Sequence, residues 1–232
     1  MRHFSSWEIE LGKFILQADE SMLKNINNLV YTEEKPSVDI QFSDLVSINP
    51  QSVLTEPPKN TSDVTKSEIK QISELTQSLT VAQKNLVMLV DKDPNLLFID
   101  LLGSSILPLP MAKFKKSWNI LEPIIKSLKN KFNRPRPEQL VAVFPRFYGD
   151  LSINVIQTKT HQTPAYPSGH TAYATLMASM LSDIYPSQSS KFYEIANLAV
   201  HARVLQGVHF PSDNDAAMVV TSAVWQDIKH KI

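Results

Sequence analysis

Apolar residues in this chain recur at spacings of three and four, and alternation at a spacing of two is weak throughout, which selects helices over strands as the elements that build the core. Trp7, Leu11, Phe14, Ile15, Ala18, Met22 and Ile26 predict a helix over Ser5–Leu29 that lies on the core. Ile69, Ile72, Leu75, Leu79 and Val81 form an inner stripe of a second helix over Ser62–Val90. A third runs over Ala112–Lys131, with a kink or restart at Pro123 and an end before Pro135. Three more are expected at Ser168–Ile184, Ser189–Leu205 and Asp213–Lys229. Proline punctuates the remainder. Residues 31–64 read as a long extended connection, Asp93-Pro94 and Ile106–Pro110 each as a break or a new helix start, and 133–167, with five prolines, as a long loop. The fold class expected is all-α, without internal repeats. A length of 232 residues suffices for a single domain over 1–232. Within it, 1–44 is an N-terminal helix and extended segment of unassigned role, and 45–232 is the core.

Composition removes several classes of function. The 23 basic and 23 acidic side chains cancel, so no global field favours nucleic acid, and any bound anion needs a local cluster of cations. Cysteine is absent, which excludes disulfides, thiolate metal sites and cysteine nucleophiles. The longest runs free of both charged residues and histidine, Leu101–Ala112 and Thr171–Ser182, are shorter than the ~18–20 apolar residues a membrane span needs. Glu8, Glu10 and Lys13 interrupt any signal-peptide core at the N-terminus.

Chemistry-bearing residues concentrate in three short blocks of the second half. In the first, a helix delivers Lys129, and a proline-stiffened turn delivers Arg134 and Arg136. Pro135 and Pro137 hold the two arginines out of helical geometry. In the second, Tyr166-Pro167-Ser168-Gly169-His170 opens a helix. Ser168 is placed to cap it, Gly169 to let a ligand approach the backbone, and the helix-start N–H groups to bind an anion, with His170 at the edge. In the third, Arg203 nears a helix end, Gly207 stops that helix, His209 falls in the loop and Asp213 opens the next helix. A carboxylate four residues after a histidine across a turn can accept from Nδ1–H, leaving Nε2 unprotonated as a nucleophile. Each block alone also reads as an ordinary feature: a solvated basic turn, a first-turn histidine, a loop histidine beside a capping aspartate. Together they hold two of the chain's five glycines, the cations Lys129, Arg136 and Arg203, neutral donors, a nucleophile, an orienting carboxylate and a proton donor. That set is complete for in-line phosphoryl transfer without a metal.

The three blocks resemble the signature of the phosphatidic acid phosphatase type 2 superfamily, which also contains the vanadium haloperoxidases. The matching positions are Lys129, Arg136, Pro137, Pro167, Ser168, Gly169, His170, Arg203, His209 and Asp213. Ala202 stands where the signature has serine. Within the superfamily the chain looks most like the bacterial class A non-specific acid phosphatases, over roughly residues 45–230. The resemblance implies a single-domain helical bundle and a phosphomonoesterase that is metal-independent and takes no cofactor. It gives His209 the phosphoryl group, with Asp213 orienting it, and makes His170 the general acid; by its place in the loop before the Pro-Ser-Gly-His turn, His161 is the fallback acid. It makes Lys129, Arg136, Ser168, Gly169 and Arg203 the phosphate ligands. Arg134 lies outside the signature and reads as a peripheral cation. The segment Glu138–Ala165, with Phe144, Phe147 and Tyr148, is expected to shape the substrate pocket. The implied partner is a small phosphomonoester, with no nucleic acid and no membrane span, and a homo-oligomer is left open. The implied location is periplasmic or secreted, although no signal peptide is visible and a cytoplasmic location stays open. Two other readings share the residues: a vanadium-dependent haloperoxidase with vanadate on His209, and a non-catalytic phosphate-binding protein.

Overall fold

The computed structural model describes residues 20–31, 41–102, 109–158, 160 and 162–232. Among these the regular elements are helical. They are α1 (20–28), α2 (Asp63–Gln77), α3 (Val81–Lys92), α4 (Asn95–Leu102), α5 (Met111–Phe132), α6 (Pro137–Val143), α7 (Gly169–Ile184), α8 (Ser189–Leu205) and α9 (Pro211–Ile228), with short 3-10 turns between some of them. The part of the first expected helix before residue 20 lies outside the described residues, as does His161.

Local chemistry explains where the helices begin and end. The continuous helix expected over Ser62–Val90 is two helices. Thr80 accepts a hydrogen bond from Gln83 N (3.2 Å) while Gln83 Oε1 accepts from Thr80 N (2.9 Å), a reciprocal cap that starts α3 afresh. Val81, expected on the inner stripe, is therefore at the exposed start of a new helix, whereas Ile69 and Ile72 are fully buried. Conversely α5 continues through Pro123 instead of restarting. The proline-rich loop 133–167 also differs from expectation. Pro137 occupies the first turn of α6, where a missing N–H costs nothing, and Pro145–Tyr148 forms a 3-10 turn. The last two helices match closely, with α8 matching at both ends. Gly207, at φ +81°, terminates α8. A Cβ there would lie 2.8 Å from Ile153 Cγ2, so both the backbone and the space require glycine.

Two apolar clusters form the interior. The larger is organised around α7, which packs against α5, α8 and α9; Leu121, Ile124, Leu128, Met177, Leu181 and Trp225 are at its centre. The smaller gathers Ile26, Ile69, Ile72, Leu140, Tyr148, Val204 and Phe210. They adjoin along α8, where Val204 belongs to one and Leu205 to the other. The segments that follow, Gln206–Phe210, are buried at this seam. Among the described residues no helix is long and apolar enough to cross a membrane.

Candidate active site

A cavity of about 510 Å³ opens where the three sequence blocks converge. Lys129, Arg136, Gly169, His170 and His209 line it. The end of α5 delivers Lys129, the first turn of α6 follows Arg136, the start of α7 carries Gly169 and His170, and the link between α8 and α9 carries His209. Arg136 is extended (φ −75°, ψ 157°), as the following proline dictates. Hydrogen bonds between blocks lock this arrangement. Ala165 N donates to Arg134 O (2.9 Å), Ser168 N to Asp213 O (3.0 Å), and Thr171 Oγ1 to Asn214 Oδ1 (2.7 Å).

His209 is held on both ring nitrogens. Nδ1 lies 3.1 Å from Asp213 Oδ2, and Nε2 lies 2.9 Å from Arg136 Nη1. A carboxylate accepts and a guanidinium donates, so the tautomer that satisfies both contacts carries its proton on Nδ1 and a lone pair on Nε2. Burial, then the charges of Arg136, Lys129 and Arg203, push the His209 pKa well below the ordinary histidine value. Asp213 is itself fixed: Oδ2 also accepts from Phe210 N (3.0 Å), and Oδ1 accepts from Arg134 Nη1 (2.6 Å).

Arg134 corrects the sequence reading. It is no peripheral cation but is buried behind Asp213. Nη1 also donates to Ser212 Oγ (2.8 Å), Nη2 approaches Glu68 Oε2 (3.4 Å), and the guanidinium stacks 3.9 Å from the Phe210 ring centroid. Glu68 accepts from Ser212 N (2.7 Å) and Ser212 Oγ (3.0 Å). Burial raises the Glu68 pKa, against the pull of Arg134. Two carboxylates and a ring hold this arginine inside because an unpaired guanidinium there would be too costly.

On the cavity side, Lys129 Nζ donates to Pro164 O and to Ala165 O (3.3 Å). Burial first, then Arg136, lower its pKa well below the usual lysine value. Arg136 Nε donates to Thr163 O (2.9 Å), and Nη1 to Val208 O (2.6 Å). Arg203 is fully buried behind Asp91 and is not itself among the residues that line the cavity; it pairs through Nη1 with Asp91 Oδ1 (3.0 Å), while its Nε and Nη2 find no protein acceptor among the described residues. Burial brings its pKa down to about 10, which leaves it charged at neutral pH. His170 Nε2 lies 3.4 Å from Asp91 O, and burial together with Arg203 lowers its pKa to about 3.

Two further expectations are modified. Ser168 occupies the cap position of α7, but its hydroxyl makes no cap. Oγ donates to Thr171 Oγ1 (3.0 Å), its N–H is taken by Asp213 O, and the residue is absent from the cavity wall. Gly169 instead presents the backbone, with nothing within 4 Å of where its Cβ would be. Phe144, Phe147 and Tyr148 pack with the smaller apolar cluster rather than shaping the pocket, because the helix over Pro137–Val143 turns them toward α2. The aromatic wall is Trp118 against Tyr173, with ring centroids 4.8 Å apart.

The sequence reading missed Asp91. It sits in the last turn of α3, where the helix dipole disfavours a negative charge. A carboxylate in that position was the available signal that an outside cation holds it. Among the described residues no group of three or more His, Asp or Glu side chains has the arrangement of a metal site.

The model of the PAP2 superfamily matches residues 119–228, which span all three blocks. A non-specific acid phosphatase from Providencia stuartii is 37% identical over 98 residues, covering 42% of this chain and 37% of that protein. One from Salmonella typhi is 30% identical over 113 residues, covering 45% and 43%. The chain thus spans well under half the length of the curated relatives it matches. The apo form of a bacterial vanadium-dependent chloroperoxidase shares the fold, with a TM-score of 0.53 at 13% identity over 79% of this chain and 54% of that one. Over residues 119–228, which carry all three blocks, this chain is similar to the PAP2 superfamily.

Proposed function

We propose that this protein is a phosphomonoester hydrolase of the acid phosphatase kind, in which His209 carries the phosphoryl group between two half-reactions. The observation that carries this reading is the state of His209: its Nδ1 is clamped by Asp213, and its Nε2 lone pair faces the cavity-lining Arg136. A neutral imidazole whose pKa is depressed by burial and cations stays nucleophilic at acid pH, where an ordinary histidine would be protonated. The names of the curated relatives support the same reading.

In the first half-reaction, Arg136 transfers its Nη1 donor from His209 Nε2 to a phosphate oxygen. Lys129, Arg203 and the Gly169 N–H complete the cradle. Nε2 then attacks phosphorus, the bond to the ester oxygen breaks, and that oxygen leaves with its electron pair and a proton from His170. In the unliganded site His170 is neutral. Burial and then Arg203 depress its pKa, and the incoming anion offsets the share due to the cations, which moves it toward holding the proton it must give. In the second half-reaction water attacks phosphorus, the P–Nε2 bond breaks, and His170 takes the proton of the water. Asp213 keeps accepting from Nδ1 and stabilises the imidazolium-like phosphohistidine. Three cations supply the charge that a divalent ion would otherwise supply, so activity should persist after exhaustive dialysis against EDTA.

The test is to mix the protein with radiolabelled substrate, quench in alkali and map the label. A phosphohistidine at residue 209 is expected. Turnover without label on the protein, or with label elsewhere, overturns the reading.

A further inference from the structure

The anion cradle contains an acid that phosphate binding does not require. Asp91 lines the same cavity as His170 and His209. Its Oδ1 accepts from Arg203 Nη1 (3.0 Å), from Thr158 Oγ1 (2.9 Å) and from Thr160 Oγ1. Its backbone carbonyl lies 3.4 Å from His170 Nε2. A carboxylate so placed must repel a phosphate that reaches for Arg203.

We propose that Asp91 is a specificity-determining residue: its fixed negative charge makes the cradle select the monoanionic over the dianionic form of its tetrahedral substrate. The proposal rests on the phosphohydrolase reading above and names the ionisation state of the substrate.

The charges around Asp91 support this. From α8 it faces Arg203, and from α7 His170. Across the cavity stand Lys129 on α5, Arg136 before α6, and His209, with Glu122 and Lys126 of α5 paired at the rim (2.8 Å) and Lys92 and Asp93 beside it on its own segment. Both histidines are driven toward neutrality by burial and by these cations. Asp213 is matched by Arg134 on the far side of His209. The cradle therefore rests on Arg136, Arg203 and Lys129, with Asp91 in opposition. Burial works to raise the Asp91 pKa, but hydrogen bonds from Thr160, Arg203 and Thr158 outweigh it and keep the group ionised. A monoanion meets less of the Asp91 repulsion than a dianion does. It also brings a proton into a site whose general acid is unprotonated at rest. A phosphomonoester changes between the two forms near pH 6, so the selection acts within the range where the substrate itself titrates.

The test compares two tetrahedral oxyanions of similar size and unequal charge, tungstate (dianion) and perrhenate (monoanion). Each is titrated calorimetrically into the full chain at one fixed neutral pH, where neither changes its protonation. In Asp91→Asn the affinity for tungstate should rise relative to perrhenate by about tenfold, the scale of one unit charge across a partly solvated cavity. Asp91→Glu, which keeps the charge, should retain the wild-type ratio. If both affinities move together in Asp91→Asn, Asp91 only positions Arg203 and the proposal falls. If Asp91→Glu changes the ratio as Asp91→Asn does, the cause is shape rather than charge, and it falls again. If neither anion binds the wild-type protein, the failure lies in the phosphate-cradle reading beneath it, and both are lost. The turnover profile gives a second readout: kcat/KM should fall less from acid to neutral pH in Asp91→Asn than in the wild type.

Discussion

Arg134 and Arg136 flank one proline and are equally hidden, each 2% exposed, yet they belong to opposite sides of His209. Arg134 lies behind it, between the carboxylates of Asp213 and Glu68, with its face on Phe210. Arg136 lies in front, donating to Thr163 O, Val208 O and the lone pair of His209 itself. Burial therefore says nothing about role here; the partners do. The rear arginine is neutralised by the protein and holds the machinery still. The front arginine donates to two backbone carbonyls and a ring nitrogen, contacts that an arriving anion can outcompete.

The largest effect should come from removing the group that separates the two sides. His209→Ala should lower kcat by about 10⁴-fold or more, because it deletes the nucleophile rather than a helper. Orthovanadate, which mimics the transferring phosphoryl group, should inhibit the wild type competitively and bind this variant poorly. Substantial residual turnover would mean that the front side contains a second nucleophile.

Next is His170→Ala, another front-side change. General acid catalysis is typically worth ~10²–10⁴-fold, and it matters most when the leaving oxygen is basic. The loss of kcat/KM should be large for an alkyl phosphate and much smaller for p-nitrophenyl phosphate, whose leaving group is stable as an anion. Equal losses would assign His170 to phosphate binding instead.

The two arginines supply the direct contest. Arg136→Ala should cost about 10²–10³-fold in kcat/KM, with little change in thermal midpoint. Arg134→Ala breaks a buried ion network and should destabilise the fold by about 3–5 kcal/mol, visible as a drop in Tm. If the Arg136 variant loses as much stability as the Arg134 variant, front and rear are not distinct. The smallest of these effects is expected for Asp213→Asn, which keeps the shape of the rear wall but disturbs the His209 tautomer. A fall of about 10–100-fold in kcat with KM nearly unchanged is expected; wild-type kinetics would show that the Nδ1 contact is idle.

The sequence made the front side far more legible than the rear. Gly207, His209 and Asp213 announce their turn because glycine, a loop histidine and a capping acid fall within seven positions. The end of α8 at Leu205 could be read from Gly207 alone. Arg134 could not be read that way. Its partners Glu68 and Asp213 are 66 and 79 positions away, and no local pattern encodes such a meeting. Asp91 meets Arg203 across 112 positions and was equally silent, apart from its unfavourable place in a final helical turn. The split between α2 and α3 is a different kind of miss. The Thr80–Gln83 capping signal was present, but an apolar rhythm that continues across Ser78–Thr80 masked it. The helix hidden in the 133–167 loop has the same lesson in reverse, since proline breaks a helix interior but is welcome in a first turn.

The hydrogen bonds from Ser168 N to Asp213 O and from Thr171 Oγ1 to Asn214 Oδ1 join the starts of α7 and α9. His170 rides on one of these helix starts and His209 immediately precedes the other. The two histidines thus share one chassis: a displacement that carries one carries the other, apart from the rest of the cavity wall. That wall is supplied by other parts of the chain, including Trp118, Thr160, Thr163 and the end of α3. Exchange of those parts offers a route to new leaving groups that leaves the spacing of the two histidines untouched, so the range of substrates and the power of the reaction are free to evolve on separate schedules.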